Sequence, residues 1–335
     1  MPDAVPDPQD APPLKWGIIA PGGIANKLAE AVSDFTAGTV VAVGSRDAGR
    51  AADFAGRHGV ARSYGSYEEL VADDEVQAIY VASPHSGHRE HALLAIQAGK
   101  HVLIEKALAR NSSEVEDIFA AAQQHHVFVM EAMWTRFLPH VYALHQVIGA
   151  GEIGEIINLS ADHGQAFTYD PKSRLFDPAL AGGALLDLGV YPVSFAHDFL
   201  GVPDAVQAVG QLTPDGVDGQ ISIVLSYGDR TQATLSTTLW AKTPTIATIS
   251  GTEGNIWVKG SFYGPTSFRV QRLDGRVWDF DQPGTKGLQY EAAEVARQVA
   301  AGATESPRLT WDNTLEVLRT MDTIRSLIGV SYPGE

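Results

Sequence analysis

Five short, nearly continuous apolar runs fall within the first 133 positions, at residues 14–20, 39–45, 77–83, 101–105 and 127–133. Helical stretches lie between them, among them 48–58, 88–98 and 112–125. A half-buried strand alternates polar and apolar residues, whereas a parallel strand covered on both faces does not. Runs of this kind, repeating with helices, predict a doubly wound α/β domain with a parallel sheet. The pattern changes after about residue 154. Ile221, Ile223 and Leu225 alternate with polar neighbours, Gly228 and Asp229 supply a turn, and Ala233, Leu235, Thr237 and Leu239 resume the alternation. This is the signature of an antiparallel hairpin with one buried face. A helical stretch at 183–200 precedes it, more strands follow through Val270, and helices at 288–300 and 311–327 close the chain. There is no internal repeat. The expected division is a first domain over 14–135 and an α+β second domain over 136–335 with a mainly antiparallel open sheet. The C-terminal helix is free to pack back on the first domain. Residues 1–13, with five prolines and three aspartates, lack the apolar content to offset ordering and are expected to be disordered.

Composition narrows the chemistry. The chain has 335 residues, with 24 Lys and Arg against 40 Asp and Glu, for a net charge of −16. So acidic a surface has no general attraction for nucleic acid or an anionic membrane. Cysteine is absent, which removes disulfides, thiolate nucleophiles and cysteine-based metal sites. No apolar run approaches a membrane span, and the N-terminus lacks the pattern of a signal peptide. The expectation is a cytoplasmic protein with a small-molecule substrate.

The first apolar run leads into Ala20-Pro21-Gly22-Gly23-Ile24-Ala25, and a helical stretch follows. A dinucleotide fingerprint requires glycine where the turn is tight and where backbone approaches the pyrophosphate. Gly22 suits the close approach and Ala25 the small helix-packing position, while Ala20 replaces the first glycine. The second run ends in Gly44-Ser45-Arg46, where an NAD site normally carries an acidic residue for the ribose 2′-hydroxyl. Ser45 and Arg46 suit a 2′-phosphate instead, since a guanidinium pairs with phosphate in bidentate fashion. NADP(H) is therefore preferred over NAD(H); the alternative for Arg46 is pairing with neighbouring Asp47.

Four further segments follow in order: Ser83-Pro84-His85-Ser86-Gly87-His88, Glu105-Lys106-Ala107, Glu131 through Phe137 with Trp134 and Arg136, and Gly182 through Tyr191 with Asp187. Together with the fingerprint they resemble the Gfo/Idh/MocA oxidoreductase family over essentially residues 14–330. The nearest branch contains dimeric dihydrodiol dehydrogenase and NADP-dependent D-xylose dehydrogenase. The resemblance implies a Rossmann-type first domain. It also implies that the lysine of the Glu-Lys-Pro motif, here Lys106, reaches substrate and nicotinamide. Tyr191 matches the proton donor or acceptor of this branch, and Asp187 matches the aspartate that contacts substrate and orders the site. Ser83 to His88 match a segment lining the cofactor. Trp134 and Arg136 match positions near nicotinamide and substrate, and His163, ending a strand, is expected to face the pocket. Ala107 stands where the family has proline. His85, expected in a loop ahead of the helix, His88 and His91 do not make a convergent zinc set.

The chemistry is coherent in itself. Asp187 and Tyr191 are four positions apart, so a helix puts them on one face. Hydride transfer at a carbinol carbon requires a matching proton transfer at its oxygen. A tyrosine with a reference pKa of about 10 is a poor base near neutrality. An ammonium about 4 Å away at an effective dielectric of ~20 favours the phenolate by about 4 kcal/mol. The expected protein is an NADP(H)-dependent oxidoreductase acting on the CH–OH or C=O group of a small polyhydroxylated substrate, an aldose or a trans-dihydrodiol. Its rivals are a 1,5-anhydrofructose-type carbonyl reductase and a non-catalytic NADP-binding regulator. A homodimer or higher oligomer is expected through the second-domain sheet.

Overall fold

A computed structural model describes residues 5–281, 284 and 286–335. The chain divides into two compact units. The first comprises Pro6–Phe137 and Lys286–Leu315, and the second Leu138–Thr285 and Glu316–Glu335.

The first unit runs β1 (Lys15–Ile19), α1 (Gly23–Phe35), β2 (Thr39–Gly44), α2 (Ala48–His58), β3 (Arg62–Tyr64) and α3 (Tyr67–Val71). It continues with β4 (Ala78–Val81), α4 (His85–Gln97), β5 (His101–Ile104), α5 (Ser112–His125) and β6 (Val129–Glu131). The sheet order is β3-β2-β1-β4-β5-β6, and every pairing is parallel. The strand order reverses between β1 and β4, so the crevice at their carboxyl ends is the ligand-binding place of an open α/β sheet. α1 buries Ala25, Leu28, Ala29 and Val32, a stripe at helical spacing. Asp47 caps α2, its Oδ1 accepting from Gly49 N at 2.9 Å and Arg50 N at 3.2 Å, and Gly59 ends the helix at φ 66°.

All five expected runs are strands, and the structure adds β3. Arg62, Ser63 and Tyr64 form a partly exposed edge strand with no apolar run to announce it. α4 begins at His85, not at residue 88, with Pro84 in extended conformation at its N-cap. His85 therefore lies on the helix and not in a loop.

The second unit contains α6 (Pro139–Gly149), β7 (Ile156–Gly164) and α7 (Val190–Leu200), with a wide π-type turn at Leu185–Gly189 leading into α7. Its remaining strands are β8 (Ala205–Leu212), β9 (Asp218–Tyr227), β10 (Thr231–Thr238), β11 (Ala247–Gly251), β12 (Gly254–Val258), β13 (Phe268–Arg272) and β14 (Val277–Phe280). The order is β14-β13-β12-β11-β7-β10-β9-β8, antiparallel except for β7 with β10. The expected hairpin pairs Ile223 with Leu235 and Leu225 with Ala233, all buried. Following the register across the sheet puts exposed Val209, Trp257 and Val277 on the opposite face.

α8 (Leu288–Ala300) belongs to the first unit, although the sequence assigns it to the second domain. α9 (Trp311–Ile328) starts in the first unit and ends in the second. The N-terminal segment also departs from expectation. Residues 1–4 lie outside the described residues, but Pro8–Asp10 form a short helical turn capped by Asp7. Pro8 is buried there, and Arg297 of α8 donates to Asp7 O at 2.6 Å. Composition reports only what a segment can bury by itself, and here a distant helix supplies the surface. The helical stretch Pro178–Leu200 is long and apolar enough by composition to span a membrane, with a mean hydropathy of 1.4, yet 89% of that window is buried within the protein. It is a core helix.

Candidate active site

The turn after β1 is tight. Ala20 takes φ 64°, the left-handed region glycine prefers, and Gly22 N donates back to Ala20 O at 2.8 Å. Gly22 stands at the N-cap of α1 with no side-chain cap, so the first-turn N–H groups gain no side-chain acceptor. A Cβ on Gly23 would meet nothing within 4 Å, leaving its backbone open to close approach. An uncapped helix start with bare backbone beside it fits a pyrophosphate. Ile24 and buried Ala25 follow in the helix.

At the end of β2, buried Ser45 accepts from Asp47 N at 3.2 Å through its hydroxyl. Asp47 is used as the cap of α2, while exposed Arg46 lines the same groove as Tyr67. Burial raises the Tyr67 phenol above its usual value, and Arg46 and Arg50 pull it the other way. Arg46, Tyr67, Arg89 and His91 line a groove of about 520 Å³. Tyr67 is a contributor the sequence did not single out, since only the fold brings α3 beside the end of β2.

Lys106 follows β5 in a loop fastened from both sides. His85 Nε2 stands 3.2 Å from Lys106 O, and His88 Nδ1 stands 3.0 Å from Ala107 O. His88 Nε2 stands 2.8 Å from Ser83 O, so the imidazole lies between the loop and the end of β4, and a neutral ring donates to one of the two carbonyls. Burial pulls His88 down to about 4, so its ring is neutral near pH 7. Leu108 N donates to Glu131 Oε1 at 3.0 Å from the other side. Glu105, preceding Lys106, accepts from the Tyr80 hydroxyl and from Lys106 N. The Lys106–Ala107 peptide is cis.

Three carboxyls occupy this part of the first unit. Burial pushes Glu131 up to about 7, against the Leu108 N–H, Arg136 and Lys106. Glu291 of α8 is fully buried, and among the described residues neither of its carboxyl oxygens has a hydrogen-bond partner. Burial, then the nearby Glu105 and Glu131, hold it well above the usual carboxylate range. Trp134 and Arg136 lie in the turn Trp134–Phe137, with Arg136 buried. Arg308 donates to Arg136 O at 3.2 Å. Neither Glu291 nor Arg308 was legible as part of this region, because each reaches it from far along the chain.

The second unit carries Asp187, Tyr191 and His163. Asp187 sits in the wide turn and Tyr191 in the first turn of α7, both buried and on one continuous helical segment. Arg174 donates to Asp187 Oδ1 at 2.8 Å. His163, near the end of β7, is buried with Nδ1 3.2 Å from Leu188 O. Tyr263, which no sequence motif marked, completes an aromatic cluster: its ring centroid is 4.4 Å from His163 and 4.3 Å from Tyr191. Burial raises the Tyr263 phenol, Ser261 opposes that by hydrogen bonding, and Asp187 adds to it.

The chain is similar to known proteins along nearly its whole length. Residues 14–133 match the family described as "Oxidoreductase family, NAD-binding Rossmann fold". Residues 141–257 match the "GFO/IDH/MocA C-terminal domain". The trans-1,2-dihydrobenzene-1,2-diol dehydrogenase of Xenopus laevis is 38% identical over 332 residues, spanning 95% of this chain and 99% of that protein. The human protein of that name is 33% identical over 342 residues, spanning 96% and 99%. Among solved structures, KijD10, a 3-ketoreductase from Actinomadura kijaniata in complex with NADP and TDP-benzene, superposes with a TM-score of 0.84 at 27% identity, covering 95% of this chain and 98% of that one. An aldose-aldose oxidoreductase from Caulobacter crescentus shares the fold, with a TM-score of 0.85 at 23% identity over 94% and 97% of the two chains. The chain belongs to the Gfo/Idh/MocA oxidoreductase family and is an NAD(P)-dependent dehydrogenase.

Proposed function

We propose that the enzyme uses NADP(H) in preference to NAD(H) and interconverts CH–OH and C=O on a small polyhydroxylated substrate, a trans-dihydrodiol or an aldose. The observation that carries the substrate class is the full-length identity to dihydrodiol dehydrogenases. The aromatic wall of Tyr263 and His163 beside Tyr191 supports it, because aromatic faces suit a small ring. The nucleotide, when bound, supplies hydride acceptance and donation at nicotinamide C4. Gly22, Gly23 and the start of α1 would hold its pyrophosphate, and Ser45, Arg46 and Tyr67 would hold a 2′-phosphate. Ser83, Pro84, His85, His88, Glu105, Trp134 and Arg136 shape its nicotinamide side.

In the oxidative direction the carbinol C–H leaves as hydride and its O–H proton passes to the Tyr191 phenolate, so the C=O bond forms without a net change of charge on the substrate. Lys106 supplies positive charge to the reacting oxygen. Asp187, held by Arg174, takes a hydrogen bond from the substrate and keeps its hydroxyls in register. The exposed outer face of the second-unit sheet, with Val209, Trp257 and Val277, supports assembly into a homodimer or higher oligomer.

The test is Tyr191→Phe, assayed by nicotinamide absorbance with trans-dihydrodiols and aldoses. The expected result is a loss of kcat of about 10²–10⁴-fold with nucleotide binding retained. Wild-type turnover by that variant removes Tyr191 from the chemistry.

A further inference from the structure

We propose that Asp218, at the start of β9, is the positioning residue that sets the helical segment carrying Asp187 and Tyr191. The segment has no capping side chain of its own at Ala184. Asp218 supplies one from 33 positions away: its Oδ2 accepts from Leu185 N at 2.6 Å, and the Ala184 N–H faces the same carboxyl. Asp218 is fully buried, so no water competes for those donors.

The chain before the helix is shaped to admit this carboxyl. Gly183 takes φ 115°, and a Cβ there would lie 2.2 Å from Asp218 Oδ1. A Cβ on Gly182 would lie 2.6 Å from the carbonyl oxygens of Arg174 and Leu175. The paired glycines let the helix start sink between the 174–175 backbone and Asp218. Gly183 N donates to Leu175 O at 2.9 Å, and the buried Tyr332 hydroxyl donates to Gly182 O at 2.9 Å. The backbone entering the segment is thus tied at Gly182, Gly183 and Leu185, and Asp218 supplies the carboxyl that accepts at the N-terminal start of the helical segment. Arg325 and Tyr332 are the other charged or titratable groups near the carboxyl.

Leu185 lies two residues before Asp187 and six before Tyr191 on the same segment. Releasing its N–H changes where both side chains are presented. The inference rests on the reading of Tyr191 as the proton-exchanging group, and on no contact of Asp218 with substrate or nucleotide.

The full-length protein and its Asp218→Ala and Asp218→Asn variants are compared by amide hydrogen exchange over residues 184–191 and by steady-state kinetics. Asp218→Ala is expected to exchange faster in that segment and to lose kcat on the order of 10²-fold, with NADP(H) affinity unchanged. Asp218→Asn keeps a carbonyl acceptor for Leu185 N and is expected to restore both. Gly183→Ala pushes the carboxyl away from the opposite side and is expected to reproduce the Ala phenotype, whether or not Asp218→Ala folds. Unchanged exchange at 184–191, unchanged kcat, or an Asn variant as impaired as Ala overturns the proposal. Tyr191→Phe run in parallel separates the two ideas: an active Tyr191→Phe removes the reading of Tyr191, whereas an inactive one beside a fully active Asp218→Ala removes only the role of Asp218.

Discussion

The ring of Tyr263 stacks on that of Tyr191, their centroids 4.3 Å apart and their planes 27° from parallel. A phenol packed this way has little rotational freedom, which is what a proton-exchanging group needs. Tyr263→Leu removes the stacking partner, worth about 0.5–1.5 kcal/mol, and is expected to lower kcat several-fold. Tyr263→Phe keeps the ring and should stay close to wild type. Equal impairment of the two variants, measured as kcat with a verified substrate, would assign the role to the hydroxyl instead.

The proposed preference for NADP(H) rests on Arg46. A charge-assisted hydrogen bond to a phosphate contributes about 1.5–3 kcal/mol, so Arg46→Ala should raise the KM for NADPH by about 10- to 100-fold. The KM for NADH, which has no 2′-phosphate, should not move. Parallel titrations of both nucleotides check this, and an equal rise for both places Arg46 outside 2′-phosphate recognition.

Ala20 holds a left-handed backbone conformation, φ 64°, at the turn after β1. That conformation costs an L-residue about 1–2 kcal/mol. Glycine removes that strain but loses about 0.5–1 kcal/mol through greater freedom of the unfolded chain. Ala20→Gly is therefore expected to raise unfolding stability by up to about 1 kcal/mol, read by denaturant titration. A decrease would mean that the methyl group packs usefully in the turn.

The buried Glu291 makes stability depend on pH in a defined direction. Its folded-state pKa lies well above the ordinary 4.5, so the folded protein holds a proton that the unfolded chain releases above that pH. Stability is fully present below about pH 4.5 and falls as pH rises toward the folded-state value, by about 1.4 kcal/mol per unit for one proton. Glu131, raised to about 7, adds to the fall between 4.5 and 7. Glu291→Gln carries no such proton and should be more stable than wild type at pH 8, with a shallower slope. Parallel curves for the two proteins from pH 5 to 8 count against the assignment.

How much of this was readable in the sequence differs by element. β1, β2, β4, β5 and β6 were visible because strands covered on both faces must be apolar throughout. β3 was not, since Arg62, Ser63 and Tyr64 sit on a partly exposed edge where pairing is made by backbone alone. The helical spacing of α8 was plain, but a pattern reports which face is buried and never against what. Lys106, Asp187 and Tyr191 stood out because they match the motifs of the family the chain resembles. Asp218, Tyr263 and Glu291 escaped because each takes its role from a partner many positions away, which no local pattern encodes.

The placement of α8 bears on how the protein is made. Synthesis delivers all six parallel strands by residue 131, yet the unit they belong to also needs Lys286–Leu315. On the ribosome the nucleotide-binding half must wait for about 180 further residues to emerge, roughly ten seconds or more at ordinary elongation rates. During that interval the surfaces later covered by α8 are exposed to chaperones and to neighbouring chains. A truncation that stops after β14 would leave the parallel sheet complete and its unit unfinished.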